Sequence, residues 1–213
     1  MSKTQTALIK AVIAGILVGV GGILYVSSQD KLVGSILFSF ALILIVSKGY
    51  NLFTGKVGYL LPYEKGHLKL VGLTLVGNII GVLFTSSLFL LSGKTAAINQ
   101  AESLMMYKLD QEWYQVFVLA IFCGFMMYLA VDSYHKIKNQ GAALAVVIFS
   151  VCIFIIAGFE HSIADMVYIF LSKSFTLETL LFFVIVLLGN LTGSVILNVL
   201  HHLIKEPSWQ SKA

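Results

Sequence analysis

His161 is the side chain in this sequence with the clearest capacity for chemistry at neutral pH. It lies between Glu160 and Ser162, directly after a long apolar run that ends at Gly158. An imidazole changes its charge near pH 7 and can exchange a proton with a weak acid. A titratable side chain at such a place points to function rather than to an ordinary contact between helices. Glu160, if ionised, needs backbone N–H groups or a lysine as partners, so we expect it to support the structure.

A second polar stretch interrupts an earlier apolar run in the same way. Residues 49–59 read GYNLFTGKVGY, and residues 158–168 read GFEHSIADMVY. Interrupted hydrophobic segments at corresponding places in two halves of a chain are typical of a solute pathway across a bilayer. Thr54 in the first stretch is the polar counterpart that the sequence offers to His161. Each position of the first stretch corresponds to a position of the second at the same spacing as that from Gly49 to Gly158. We call this fixed difference in residue number the repeat offset.

The composition places the chain in a lipid bilayer. Of its 213 residues, 58% are hydrophobic and 11% are charged, and the mean hydropathy is +0.93. Soluble domains carry about 25% charged residues, so this chain has too little polar surface to fold in water. Because almost no sequence remains for a soluble domain, we expect neither an enzyme nor a nucleic-acid partner. Cys123 and Cys152 lie within apolar segments and read as small buried hydrophobes.

The apolar segments predict six membrane spans, because each spanning helix needs about 20 apolar residues. They cover roughly 7–27, 32–61, 68–91, 114–131, 142–171 and 177–201, and the second and fifth are broken by the polar stretches. The first is long and has no convincing cleavage site, so we interpret it as a retained helix. With both termini in the cytoplasm, eight lysines lie inside and four outside, which follows the positive-inside rule. The inside set is Lys3, Lys10, Lys65, Lys69, Lys136, Lys138, Lys205 and Lys212, and the outside set is Lys31, Lys94, Lys108 and Lys173.

The spans read as a duplicated unit. Gly15 and Gly124 lie in similar contexts at the repeat offset, and a Gly-Asn-x-x-Gly motif occurs at 77–81 and again at 189–193. A unit of three spans is odd, so its second copy enters the membrane from the opposite side. We therefore predict an all-α integral membrane protein with six transmembrane helices in an inverted 3+3 repeat. It forms a single transmembrane domain over 1–213, with one repeat at about 7–91 and the other at about 114–201.

The two Gly-Asn-x-x-Gly motifs have two readings. Small residues four positions apart let helices approach closely in lipid, which explains the glycines. Asn78 and Asn190 must find hydrogen-bond partners in hydrocarbon, either by cross-linking helices or by lining a pore. The sequence leaves both readings open.

The breaks also predict an electrostatic preference. A half-helix that resumes after each break presents unpaired N–H groups and the positive end of its dipole. Two such ends, directed inward from opposite sides, would favour an anion at the membrane centre over a neutral solute.

The stretch GFEHSIA at 158–164 resembles the signature of the formate/nitrite transporter family. The LFT loop at 52–54 and the two Gly-Asn-x-x-Gly motifs are similar to that family as well, so the resemblance covers nearly the whole chain. It implies an aquaporin-like protomer, a homopentamer with one pore per protomer, and a bacterial or archaeal cytoplasmic membrane. It also implies transport of small monovalent anions or their acids, with formate first, then nitrite or hydrosulfide.

The resemblance assigns roles to individual positions. His161 would be the central pore histidine, Thr54 its hydrogen-bonding partner, Asn190 a pore-lining amide and Lys108 a vestibule lysine. The apolar constrictions would be formed by Phe38, Leu42, Leu52, Phe53 and Phe154. Asp165 and Gly124 depart from the family, which often has Asn at both places, and the short N-terminal segment argues against the gating helix of some formate channels.

These assignments predict a proton-assisted anion pathway. Lys108 and the helix dipoles would attract the anion, and the apolar constriction would raise the pKa of the anion by disfavouring its charged form. A proton, given directly by His161 or by water under its influence, would let the neutral acid pass. In the other version, a persistently charged His161 binds the anion itself.

The sequence gives less support to two other functions. An aquaporin-like channel for neutral solutes would need two Asn-Pro-Ala motifs, and neither Pro62 nor Pro207 lies in one. A haem-binding subunit would need axial ligands facing each other within the bundle, whereas His201 and His202 end the last span at the interface. We therefore predict no cofactor.

Overall fold

The computed structural model describes residues 1–204, so Lys205, Pro207 and Lys212 lie outside the described residues. Within this part of the chain the secondary structure is helical and contains nine α-helices. They are α1 (Lys3–Ser27), α2 (Lys31–Lys48), α3 (Phe53–Lys56), α4 (His67–Leu91), α5 (Thr95–Leu109), α6 (Trp113–Lys136), α7 (Gln140–Ile156), α8 (Ser162–Ser172) and α9 (Leu177–Leu203). A short 3-10 helix, Val57–Leu60, follows α3.

Five of these helices are long and apolar enough to cross a membrane: α1, α2, α4, α6 and α9. Their outer faces carry large apolar side chains that would be unfavourable in water, such as Phe40, Phe84 and Leu181, each more than half exposed. Such exposure on several helices is what a lipid environment requires. The chain is a multi-pass membrane protein. Cys123 and Cys152 are buried and unpaired, as expected.

Both polar stretches interrupt helical structure. Gly49 after α2 and Gly158 after α7 have φ values of 62° and 73°, a left-handed conformation that ends a helix and that glycine adopts without a steric cost. The chain then resumes as α3 and as α8. The expectation of a half-helix after each break is only partly met, because α3 is a single turn of four residues whereas α8 has eleven.

The helices pack as two similar sets. Helix α1 lies along α4 and α2, and α6 lies along α9 and α7. A β-carbon at Gly81 would overlap the carbonyl oxygen of Val12, and one at Gly193 would overlap that of Ile121. The Gly-Asn-x-x-Gly motifs therefore do permit close helix approach. The two contact points on the facing helices, Val12 and Ile121, are again related by the repeat offset.

Helix α5 was not expected from the apolar segments. It occupies most of the connection between the third and fourth predicted spans and packs against α8 and α1. Its buried positions, Ala97, Ala101, Met105 and Lys108, lie on one helical face. The helix thereby carries Lys108 into the interior next to the second break.

Candidate functional site

The two breaks meet through a hydrogen bond between Thr54 Oγ1 and His161 Nε2, 3.1 Å long. Both residues are almost completely buried. His161 is also the N-cap of α8, because its Nδ1 accepts a hydrogen bond from the backbone N–H of Ala164 at 3.1 Å. An accepting Nδ1 leaves the proton of a neutral ring on Nε2, which then donates to Thr54. The fold thus fixes both the orientation and the tautomer of the imidazole.

Asn78 holds the first break in place. Its side-chain oxygen accepts from the backbone N–H of Phe53 at 2.8 Å. Its side-chain nitrogen donates to the carbonyl oxygens of Ala11 at 2.8 Å and Asn51 at 2.9 Å. One amide therefore ties α4 to α1 and satisfies two backbone groups where the loop meets the start of α3.

Asn190 holds the second break by the corresponding bonds. Its oxygen accepts from the N–H of Ser162 at 2.9 Å, and its nitrogen donates to the carbonyls of Ala120 at 2.9 Å and Glu160 at 2.8 Å. The repeat offset relates each of these partners to the matching partner of Asn78.

The position of Asn190 differs from the pore-lining one that was expected. Its side chain is fully buried, and both hydrogens of its amide nitrogen are used by backbone carbonyls. Of the two readings of the Gly-Asn-x-x-Gly motifs, the structure favours cross-linking, for Asn190 as for Asn78.

Lys108 forms a buried ionic cluster with two carboxylates. Its Nζ contacts Glu160 Oε2 closely and lies 3.1 Å from Asp165 Oδ1. The other oxygen of Glu160, Oε1, accepts from Gln111 Nε2 at 3.4 Å. Glu160 therefore has the lysine partner that an ionised carboxylate in this place requires. Lys108 is paired rather than free, so its attraction for an entering anion depends on the charge of its two partners.

A first cavity of about 440 Å³ adjoins this cluster. Its lining includes Lys108, Glu160, His161, Asp165, Phe154, Tyr25 and Tyr168. The ring of Phe154 stacks on that of His161 with their centres 5.3 Å apart, and the ring of Phe38 meets Phe154 edge-on at 6.0 Å. The imidazole thus lies at the boundary between a charged cavity and aromatic side chains.

A second, smaller cavity of about 90 Å³ lies at the first break. Leu42, Leu52, Gly55, Lys56 and His135 are among its lining residues. Gly55 follows Thr54 in the chain, so the Thr54–His161 hydrogen bond connects the walls of the two cavities. The two linings also use corresponding positions of the two repeats, although the residue types differ. Leu52, Gly55 and Lys56 of the second cavity are separated by the repeat offset from His161, Ala164 and Asp165 of the first.

Comparison with known proteins agrees with this geometry. The sequence profile of the family described as "Formate/nitrite transporter" matches residues 1–204. The chain belongs to this family.

Relatives in the formate/nitrite transporter family include proteins named as formate channels. The formate channel FocA of Haemophilus influenzae is 29% identical over 147 residues, which cover 64% of this chain and 52% of that protein. FocA of Escherichia coli K12 is 28% identical, with coverage of 73% and 62%, and the formate-nitrite transporter of Plasmodium knowlesi is 30% identical, with coverage of 75% and 61%. The chain thus spans about half to three fifths of the length of these curated relatives.

Solved structures share the fold of this family member. A structure described as "Pentameric formate channel with formate bound" superposes with a TM-score of 0.83 at 23% identity, covering 93% of this chain and 96% of that chain. An "FNT family ion channel" gives the same TM-score and identity, covering 99% and 92%.

The residues expected to form constrictions are all buried, but they occupy different places. Phe154 lines the first cavity, whereas Leu42 and Leu52 line the second. Phe38 lies behind Phe154, and Phe53 is fixed by the bond from its N–H to Asn78.

Sequence reasoning missed three residues at this site of the family member. Asp165 and Tyr168 line the first cavity, and Lys56 lines the second. Asp165 and Tyr168 follow His161 at helical spacings of four and seven, which places them on the same face of α8 and was a readable signal. His201, considered above as a haem ligand, instead lies 3.2 Å from the hydroxyl of Tyr128 through its Nδ1.

Proposed function

We propose that this chain forms a pathway for small monovalent weak-acid anions, with formate as the first candidate and nitrite and hydrosulfide next. The observation that carries this proposal is the buried Thr54–His161 pair between two cavities, in a chain of the formate/nitrite transporter family. The names of the relatives support the same class of solute.

The architecture that we propose is the inverted repeat of three plus three spans, with α2 and α3 as the broken second span and α7 and α8 as the broken fifth. The matching bonds of Asn78 and Asn190 support it, since the repeat offset relates every pair of partners. The repeats extend over about 7–91 and 114–201. Both termini lie in the cytoplasm of a bacterial or archaeal cell, and five copies assemble, as the likeness to a pentameric formate channel suggests.

The transport step that we propose is assisted by a proton and organised by His161. An anion in the first cavity meets the apolar ring of Phe154, where the low dielectric favours its neutral, protonated form. The tautomer set by Ala164 directs Nε2–H toward Thr54, so the ring acts as a hydrogen-bond donor along the path. A persistently charged ring would carry a hydrogen on Nδ1 as well. That N–H would face the N–H of Ala164, so two donors would oppose each other. This geometry favours a neutral His161 and a proton that reaches the anion from another source.

Solute uptake by proteoliposomes tests the proposed function. Formate, nitrite, hydrosulfide and glycerol are compared over a range of external pH by light scattering, with His161→Ala beside the unsubstituted protein. We expect rapid uptake of one weak-acid anion that becomes faster as the pH falls, and slower or less pH-dependent uptake in the variant. Flux of glycerol without anion flux would instead favour the aquaporin-like alternative and contradict the proposal.

A further inference from the structure

The ionic cluster beside the first cavity contains more negative than positive charge. Lys108 contributes one ammonium, whereas Glu160 and Asp165 contribute two carboxylates, and each of the three side chains is at most 8% exposed. A net buried charge is costly in a low-dielectric interior. Two carboxylates that share one site also oppose each other's ionisation. The cluster therefore favours one bound proton.

Hydrogen bonding distinguishes the two carboxylates. Both oxygens of Glu160 face a donor, one from Lys108 and one from Gln111, which suits an ionised group. Asp165 Oδ1 faces Lys108, but no donor among the described residues reaches the buried Oδ2. An ionised oxygen without a donor is unfavourable, whereas a protonated Oδ2 would itself donate. Of the two carboxyl groups, Asp165 is therefore the one that we expect to be protonated.

Within residues 1–204, no second cation lies within ion-pair distance of Asp165 to replace that proton. Tyrosine and cysteine side chains are neutral acids near pH 7. The tautomer of His161 described above is that of a neutral ring. The ionisable groups that contact Asp165 or share its cavity in the described part of the chain are Lys108, Glu160, His161, Tyr168, Tyr25, Cys123, Tyr107 and Lys31, of which Tyr107 and Lys31 are exposed.

We propose that Asp165 carries a proton in the first cavity and gives it to the entering anion. This inference rests on the proposed function and names the proton source that His161 leaves open. The O–H bond of the Asp165 carboxyl breaks, and an O–H or S–H bond forms on the anion. The new carboxylate stays beside Lys108 until a proton from water at the cavity mouth restores the acid, so no electrons are exchanged.

The same proton also decides whether an anion can enter. With Asp165 neutral, Lys108 and Glu160 cancel, so the ionic cluster has no net charge and does not oppose the attraction of an anion by Lys31, an exposed lysine that also lines this cavity. With both carboxylates ionised, the cluster carries a net negative charge and repels the anion. Entry and protonation are therefore coupled through one residue.

Infrared spectroscopy tests where the proton resides. At neutral pH we expect the C=O stretching band of a protonated carboxyl group in the unsubstituted protein. The band should disappear in Asp165→Asn and should remain in Asp132→Asn, which changes a buried carboxylate outside both cavities. A spectrum of the unsubstituted protein without that band contradicts the proposal even if Asp165→Asn does not fold. Asp165→Glu should restore the band at a shifted frequency.

Uptake measurements test whether the proton is delivered. With formate as the probe and a pH-sensitive dye inside the liposomes, Asp165→Asn should lower formate-dependent proton uptake at least about tenfold, since a positioned proton donor has effects of this order or larger. Asp132→Asn should retain the rate. Loss of the infrared band with unchanged proton uptake would overturn the delivery role. Absence of anion uptake by the unsubstituted protein would contradict the proposed function itself, which separates the two failures.

Discussion

The hydroxyl of Thr54 and the imidazole of His161 meet at 3.1 Å across two breaks that are far apart in the chain. Thr54 lies in α3, directly after the first loop, and His161 is the last residue of the second, and an asparagine from another helix holds each loop in place. The pair therefore depends on long-range packing, although each partner belongs to a motif that is readable locally.

Replacing Thr54 with valine should destabilise the protein and change its transport, because it removes the hydrogen bond of this pair. The change keeps the shape of the side chain but leaves the buried Nε2–H of His161 without an acceptor, which costs about 1–3 kcal/mol of stability. We expect a lower unfolding temperature in detergent and an altered rate of anion uptake. Thr74→Val is the matched control, because the Thr74 hydroxyl donates to Leu70 within its own helix. Equal behaviour of the two variants would contradict a special role for Thr54.

Asn78 and Asn190 should be equally important for folding. Each makes three buried bonds to backbone groups of its break and of a neighbouring helix. Alanine at either position leaves several buried backbone groups unpaired, so we expect each variant to lose roughly 3 kcal/mol or more. Thermal unfolding in detergent, followed by circular dichroism, measures the loss. Asn99→Ala, on an exposed face of α5, should unfold like the unsubstituted protein. A large loss at one asparagine alone would argue against equivalent repeats.

Much of the fold was readable from the sequence because hydrocarbon allows few alternatives. Apolar segments of membrane length must be helical, since their backbone groups have no other partners. Glycines followed by polar residues inside such segments accordingly predicted the breaks after Gly49 and Gly158. Thr54 and His161 were identified for the same reason, as polar groups at membrane depth.

The features that the sequence did not reveal depend on contacts between distant segments. Helix α5 is only partly apolar, so a search for spans passes over it, although its buried residues keep a helical spacing. The role of Asn190 depends on which backbone groups come within reach of its amide, which hydropathy does not report. Asp165 follows His161 by four residues, but its importance becomes visible only where α5 places Lys108 beside it.

The Lys108–Glu160 pair gives a prediction about compensation. Lys108→Met alone leaves the Glu160 carboxylate buried without its cation, and loss of one partner of a buried pair typically costs about 3–5 kcal/mol. Adding Glu160→Gln removes the uncompensated charge, so the double variant should recover part of the lost stability. Thermal unfolding of both single variants and the double variant forms the test. Additive losses would show that the two charges do not stabilise each other.

Lys56 gives a prediction for the second cavity, where it corresponds to Asp165 of the first. Within residues 1–204, no carboxylate lies within ion-pair distance of the Lys56 ammonium, so its charge is available to attract an anion on that side. Lys56→Gln should slow anion flux by roughly tenfold at low ionic strength, because electrostatic attraction raises the local anion concentration. The difference should shrink at high salt, where the field is screened.

Lys48→Gln is the matched control for Lys56, since Lys48 lies exposed at the end of α2 and does not line the cavity. Flux measured from the side of the second cavity should fall in Lys56→Gln and stay unchanged in Lys48→Gln. An equal effect of the two substitutions would mean that the general surface charge, and not the charge inside the cavity, attracts the anion. The replacement of an aspartate in the first cavity by Lys56 in the second would then have no consequence for transport, and the two cavities would act alike despite their different linings.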